Sequence, residues 1–506
     1  MMLTDGRQPS RVLSGIALGL CLFALLGCEN ALKKSVESLR SGAVLEQASP
    51  GGLRAQEANH RVQLDWDKVD GATGYILYWS TAPITALAEA HAVSLTTNSY
   101  THTGLQNGKA IYYSVVAHGF DTDSRGSEAV IAVPHQYMMY VNNGGTTDAN
   151  NIVVGCSTVG YVLNKADGSL AETEGSPFDV GSYPTNIAID PLRRFAYISS
   201  FNTRQITCYK IDSDTGRLNP IGTPVSAGSG VSNLAVDPSG KYLYAVNGTG
   251  TYPAGSSVSA YAINQDTGSL THIADSDTGF QPRGIGMDPT GRFVYVPVYL
   301  SSSGQDVDVF GITETGALEK LAVSFGAAQS VDIGVHGVAI HPKGKFLYLI
   351  FCNNTTGIAV QAFTLNTSTG GLVAGQAIRK YYLPTTDGGN SADVAEVDPT
   401  GRFLYICMYN KRKIAIYSIN QTSGDLTSLS GSPFQLWPAS PSEAPKAIGF
   451  DPDGKFAYIV TALTSKPSTG TLRSYSIDQE TGALSAMGSS FSPGFNSCDI
   501  EVIGLP

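Results

Sequence analysis

An aromatic residue followed six or seven positions later by Gly-x-Leu occurs seven times in the last three quarters of this chain. The copies start at Tyr161, Tyr209, Tyr261, Phe310, Phe363, Tyr417 and Tyr475. A second string, Asp/His-Pro-x-x-x-aromatic-x-Tyr, alternates with the first. It runs from Asp190 to Tyr197, Asp237 to Tyr244, Asp288 to Tyr295, His341 to Tyr348, Asp398 to Tyr405 and Asp451 to Tyr458. Self-similarity at a fixed period constrains the fold before any single residue is read, because each repeat buries its apolar faces only against its neighbours.

Successive Asp/His-Pro positions lie 47, 51, 53, 57 and 53 residues apart, room for about four strands and their turns. That is the size of a β-propeller blade. Ile187 and Ile189 alternate with small or polar residues as a strand requires. Asp-Pro-x-Gly then supplies a turn, since Pro fixes φ, Asp bonds forward to the backbone and Gly accepts a positive φ. Phe403 to Cys407 is apolar throughout, which predicts a strand buried on both faces. The segment before each Gly-x-Leu reads as a hairpin loop leading to a more polar fourth strand.

Seven copies of one motif against six of the other leave one blade without its first strand. That blade opens at Met138 to Asn143, and the chain ends in Ser497 to Ile503, which has a first-strand pattern. Pairing the two removes the open edges of the array. The expected fold is therefore all-β, a seven-bladed propeller over residues 135–506 closed by its C-terminal strand.

The N-terminal 134 residues divide differently. Arg7 and Arg11 precede an apolar run from Val12 to Leu26, and Leu25-Leu26-Gly27-Cys28 has the form of a bacterial lipobox. The expectation is a lipoprotein signal peptide over 1–27, lipidation at Cys28 and a flexible tether over 28–58. Without residues 1–27 the chain loses two of 32 basic and one of 42 acidic side chains, leaving 30 against 41 and a net charge of −11. Such a balance repels phosphate and argues against nucleic acid. The expected location is the cell envelope, as an outer-membrane lipoprotein facing periplasm or cell surface, with the membrane reached through lipid.

Residues 59–134 hold short strands and turns: Val62 to Trp66, Gly74 to Trp79 and Ile111 to Ala117. Their order resembles a fibronectin type III domain. The tyrosine-corner position departs from that pattern, holding Ile111 beside Tyr112 and Tyr113.

The strings Gln281 to Tyr295 and Tyr261 to Leu270 resemble the seven-bladed lactonase family, which includes bacterial 6-phosphogluconolactonase. Tyr140-Val141-Asn142-Asn143 also echoes propellers with Tyr-Val-Thr-Asn-like repeats. The repeat motifs specify scaffold and not chemistry. The resemblance implies a catalytic His in one blade, an Arg at the same place in the next, and a Glu after the second strand of that Arg blade. Arg283 matches the Arg. Ser232 stands at the His position, the Glu position falls near Tyr299, and His336 lies one blade after Arg283.

The residue five before each Asp/His-Pro, with its counterpart in the closing strand, gives Thr185, Ser232, Arg283, His336, Asp393, Lys446 and Cys498. Six of the seven are polar or ionisable, where a wet channel mouth would tolerate any polar group and a ligand site would select them. Thr185, Ser232, Arg283, His336, Asp393 and Lys446 are the candidate ligand-binding residues, and Arg283, His336 and Lys446 the candidates for chemistry. Cys156, Cys208, Cys352, Cys407 and Cys498 lack metal-ligand spacing and read as free thiols. Asp212 to Gly216 looks like a calcium loop but varies between repeats as a turn does, so neither metal nor cofactor is expected. The combined expectation is a lipid-anchored platform for a protein or glycan partner rather than an enzyme. Its alternative is a hydrolase or isomerase for a small anionic lactone or sugar acid.

Overall fold

A computed structural model describes residues 48–119, 123–148, 153–164, 167–248, 256–279, 281–298, 307–323, 333–353, 357–373, 379–383, 394–435, 443–463 and 470–505. Cys28, Tyr299 and Asp393, and the loop from Pro384 to Asn390, lie outside the described residues. The chain divides into two units, Met1–Pro134 and His135–Pro506.

The first unit is a sandwich of two antiparallel sheets. Strands β1 (Arg54–Ala58), β2 (Arg61–Asp65) and β5 (Ser99–Thr103) form one sheet in the order β1-β2-β5. Strands β3 (Gly74–Ser80), β4 (His91–Leu95), β6 (Ile111–His118) and β7 (Val130–Ala132) form the other, in the order β4-β3-β6-β7. Alternation in β2 sends Val62 and Leu64 inward, where they meet Leu77, Tyr113 and Val115. Trp66 is buried beside Tyr75 in an edge-to-face pair, centroids 5.4 Å apart.

The second unit is a ring of seven antiparallel sheets. The innermost strands of blades two to seven are Pro184–Ile189, Val231–Val236, Gly286–Met287, Ile333–Ile340, Val394–Val397 and Glu443–Phe450. Blade one takes its innermost strand from the other end of the chain. Ser497–Leu505 pairs with Gln136–Asn143, from Ser497 opposite Asn143 to Leu505 opposite Gln136. The second strands are buried on both faces, as in Phe403–Met408.

The two sequence motifs meet between blades. The Tyr hydroxyl of one blade's second strand donates to the carbonyl of the Gly in the next blade's Gly-x-Leu. Tyr140 reaches Gly216 at 2.6 Å, Tyr197 reaches Gly268 at 3.1 Å and Tyr244 reaches Gly316 at 3.0 Å. Tyr348 reaches Gly424 at 3.2 Å and Tyr405 reaches Gly482 at 2.8 Å. Two residues before each Tyr, a large side chain lies flat on the same Gly. Phe403 is so close that a Cβ on Gly482 would come 2.5 Å from its ring. Asp of Asp-Pro fixes that ring's own backbone, as where Asp398 accepts from Phe403 N at 2.7 Å. In blade five His341 replaces Asp, accepting from Lys343 N at Nδ1 and donating from Nε2 to Gly401 O at 3.0 Å.

Gly482 has φ +74°, so an alanine there meets both an unfavourable backbone and the Phe403 ring. Gly482→Ala is expected to destabilise the propeller by about 2–4 kcal/mol, combining left-handed backbone strain with overpacking. A midpoint shift in urea at unchanged slope would register it. An unchanged midpoint would show that the junction tolerates a side chain.

Candidate functional site

The inner strands enclose a channel cavity of about 330 Å³ bounded by residues from all seven blades. Its polar side chains are Asn186, Asn233, Arg283, Glu396, Asp499 and Glu501; the remaining lining is aliphatic or glycine. Three carboxyls therefore share one lumen.

A β-bulge sets which residues reach it. The pairing of inner and second strands slips by one residue between Pro184 and Asn186, Val231 and Asn233, Val335 and Gly337, Pro445 and Ala447, and Ser497 and Asp499. The extra residues are Thr185, Ser232, His336, Lys446 and Cys498, five of the positions singled out by sequence. A bulge leaves its residue unpaired and re-aims the strand after it, so the polarity visible at these positions follows from their place in the ladder. The lumen is lined from the next residue inward.

Of the sequence-derived candidates, Arg283 lines the cavity. It is exposed, its backbone N–H donates to Pro297 O at 3.0 Å and its guanidinium donates to Gln281 Oε1 at 3.4 Å. The Thr185 hydroxyl is shared with Ser199 Oγ at 2.9 Å and donates to Val231 O at 3.2 Å. Ser232 Oγ points to Val246 O at 3.5 Å, and Lys446 Nζ sits 4.2 Å from the centre of the Tyr409 ring. Cys498 Sγ contacts Pro184 O at 3.1 Å, and burial raises its thiol pKa. The Asp212 carboxylate of the calcium-like string caps its own turn, accepting from Asp214 N and Thr215 N.

Sequence reading missed the carboxyls. Asp499 stands directly after the bulge of the closing strand, and its Oδ2 accepts from Asn186 Nδ2 at 2.9 Å and Ile187 N at 2.8 Å. Asn186 Oδ1 in turn accepts from Leu234 N at 2.8 Å. An innermost strand exposes N–H groups that no further strand pairs, and these side chains satisfy them from blade to blade. Two residues further along, Glu501 pairs with Tyr140 and Glu396 with Tyr405. Equivalent places in the other blades hold Ala188, Ala235, Gly286, Ala339 and Gly449. A carboxyl where the repeat otherwise keeps Ala or Gly was the available signal.

Enclosure within the ring is the main cause that pushes these acids up. Glu396 rises to about 8 through desolvation and then the Asp499 charge. Glu501 rises to about 8 through desolvation, Asp499 and Glu396. Asp499 rises only to about 6, because its hydrogen bonds from Ile187, Ile500 and Asn186 oppose desolvation. Glu396 is solvent-exposed by area, yet the solvent it meets is lumen water walled by protein, so the upward direction holds while the water moderates its effect.

The chain matches the family described as lactonase, 7-bladed beta-propeller, over residues 92–234, 225–335 and 334–498. It belongs to that family. A Pectobacterium carotovorum protein named 6-phosphogluconolactonase is 27% identical over 309 residues, covering 60% of this chain and 84% of that protein. One of the same name from Bacillus subtilis is 23% identical over 295 residues, covering 48% and 79%. Among solved structures, a Pseudomonas aeruginosa periplasmic gluconolactonase superposes with TM-score 0.57 at 19% identity, covering 73% of this chain and all of that one. A Lactobacillus plantarum protein gives 0.55 at 17%, covering 73% and 99%. These structural likenesses fix the fold.

Raised carboxyl pKa values make folding stability fall with pH. A proton held more tightly by the folded than the unfolded state stabilises fully below the unfolded value, and the contribution is lost as pH rises through the folded value. For Glu396 that window runs from its ordinary 4.5 to about 8. Glu396→Gln is therefore expected to raise the melting temperature relative to the parent by more at pH 8.5 than at pH 5. Equal shifts at both values would show that Glu396 ionises as freely in the fold as in the unfolded chain.

Proposed function

We propose that the propeller is a lactone hydrolase acting on a small sugar-acid lactone in its channel. The observation that carries this is Asp499, a carboxylate oriented by two hydrogen bonds, held near pH 6 and sharing a cavity with Arg283. A base titrating just below working pH is ionised yet still accepts a proton effectively. Asp499 would take a proton from water as its oxygen attacks the lactone carbonyl carbon. Arg283 would stabilise the oxyanion, the ring carbon–oxygen bond would break, and the ring oxygen would receive the proton back from Asp499. One lactone and one water give one hydroxy acid, with no oxidant or cofactor.

Sequence alone put a binding platform ahead of an enzyme, and the names of the relatives favour the hydrolase. Ser232, at the place where the resemblance implies a catalytic His, points its hydroxyl to a backbone carbonyl. The base proposed for this chain therefore comes from another blade. Purified protein is expected to hydrolyse aldonolactones above the spontaneous rate. Asp499→Asn should lose about 10²–10⁴-fold in kcat and Arg283→Ala about 10²–10³-fold. No turnover of any lactone in a broad panel would overturn the assignment.

The same reading makes the enzyme an envelope lipoprotein, supported by Arg7, Arg11 and the lipobox ending at Cys28. The sandwich would be a fibronectin type III-like spacer, supported by its three- and four-stranded sheets in the orders β1-β2-β5 and β4-β3-β6-β7. Cys28→Ser should abolish metabolic labelling with a fatty acid and release the protein from membranes. Labelling that persists in this variant would remove the anchor from the proposal.

A further inference from the structure

The proposed active site has an unusual charge balance for a protein with relatives named for a phosphorylated substrate. Among the described residues, its cavity holds three carboxyls, Glu396, Asp499 and Glu501, against one cation, Arg283. Glu396 and Glu501 come from blades six and one, and the blade between them carries only Gly449 at that position. That part of the lumen is thus acidic on two of its seven sides. Among the described residues, further charged or titratable groups stand one step outward at Cys498 and Lys446, and Lys446 Nζ is engaged over Tyr409.

We infer that Glu396 and Glu501 act as a charge filter, so that the channel accepts an uncharged polyhydroxy lactone and excludes its phosphorylated or carboxylated counterparts. This rests on the hydrolase reading and names the substrate class of that site. Once Glu396 and Glu501 ionise, a phosphate entering this lumen would meet like charge with one guanidinium among the described lining residues to offset it, and like charges inside a walled cavity repel more strongly than in open water. Sugar hydroxyls, by contrast, both donate and accept hydrogen bonds. Carboxyls that exchange protons near neutrality match both roles, a protonated one donating and an ionised one accepting. Asn186 and Asn233 extend the same kind of surface.

The filter also acts on the product. Hydrolysis of a neutral lactone yields an aldonate whose new carboxylate forms inside the acidic lumen. The repulsion absent on entry appears once the ring has opened, and it favours release over rebinding. Weak inhibition by aldonate is the corollary.

The test compares glucono-δ-lactone with its 6-phosphate ester, after subtraction of spontaneous hydrolysis. The quantity read is the ratio of their kcat/KM values, which is insensitive to a general loss of activity. The parent is expected to prefer the neutral lactone by about tenfold or more at pH 9, where Glu396 and Glu501 are ionised, and Glu396→Gln/Glu501→Gln to reduce that preference about tenfold. Single Glu501→Gln should move it in the same direction if the double variant folds poorly. In the parent the preference should widen from pH 7 to pH 9 as the carboxyls ionise through about 8. A parent that prefers the phosphate ester, or a ratio unchanged by the substitutions, overturns the filter and leaves the hydrolase standing. Failure to hydrolyse either lactone overturns the hydrolase and the filter together.

Discussion

The contact on which the rest of this molecule depends is the junction where the tyrosine of one blade meets the glycine of the next. A blade has two apolar faces and cannot bury both alone, so stability resides at the interfaces. At five junctions the Tyr hydroxyl donates to a Gly carbonyl, and the side chain two residues earlier, an aromatic at four of them and Met138 at the other, covers the same glycine. One such hydrogen bond contributes about 1 kcal/mol net, but a buried carbonyl left without it costs about 1–3 kcal/mol. The junction therefore does more to exclude alternative packings than to add energy. Tyr458 tests this at the last junction, where its ring is buried but its hydroxyl has no partner among the described residues. There the ring relies on packing, with Phe456 against Gly168, and on the strand that the C-terminus contributes to blade one.

Closing a ring of sheets solves the outer problem and creates an inner one. Each blade ends at the channel in a strand whose inward N–H groups have no further strand to pair with. Asp499 and Asn186 supply side-chain acceptors to Ile187 and Leu234, so part of the channel's polarity serves the backbone. Glu396 and Glu501 lie one step deeper on blades where the repeat elsewhere holds Ala or Gly. Among the described residues no hydrogen bond or ion pair uses either carboxyl, and burial in the ring raises the pKa of both groups. Where a repeat is broken at a local cost to stability, function is the economical reason.

Fold was legible in the sequence because the residues that specify it recur. Turn glycines, junction tyrosines and the Asp of Asp-Pro each appear in nearly every unit, and the missing first strand of blade one pointed to the C-terminus that supplies it. The channel was harder to read because its residues are those that do not recur. Counting back from Asp-Pro found the right strand end but stopped at Thr185, Ser232, His336, Lys446 and Cys498, the bulged residues. A bulge shifts everything on one side of it by one place without leaving a mark in the motif. Asp499, directly after Cys498, was one residue from the position chosen. Glu396 was two residues before an Asp-Pro already identified, in a segment read as scaffold.

That one-residue displacement changes the chemistry assigned to the ring. At the positions reached by counting back from Asp-Pro the groups are mixed in sign, with Arg283 and Lys446 suggesting a cationic mouth for an anion. One step inward, acids outnumber bases three to one among the described lining residues, and Lys446 lies over the Tyr409 ring. An anionic ligand fits the first arrangement and a neutral one the second. Arg283 belongs to both, as the blade-four residue that was read from sequence and also lines the cavity. Arg283, in the same cavity as Asp499, can stabilise one developing negative charge, which is what opening a lactone generates. A second charge carried by a phosphate has no counterpart among the described lining residues, so the lumen is matched to the charge created by reaction and not to one brought in by the ligand.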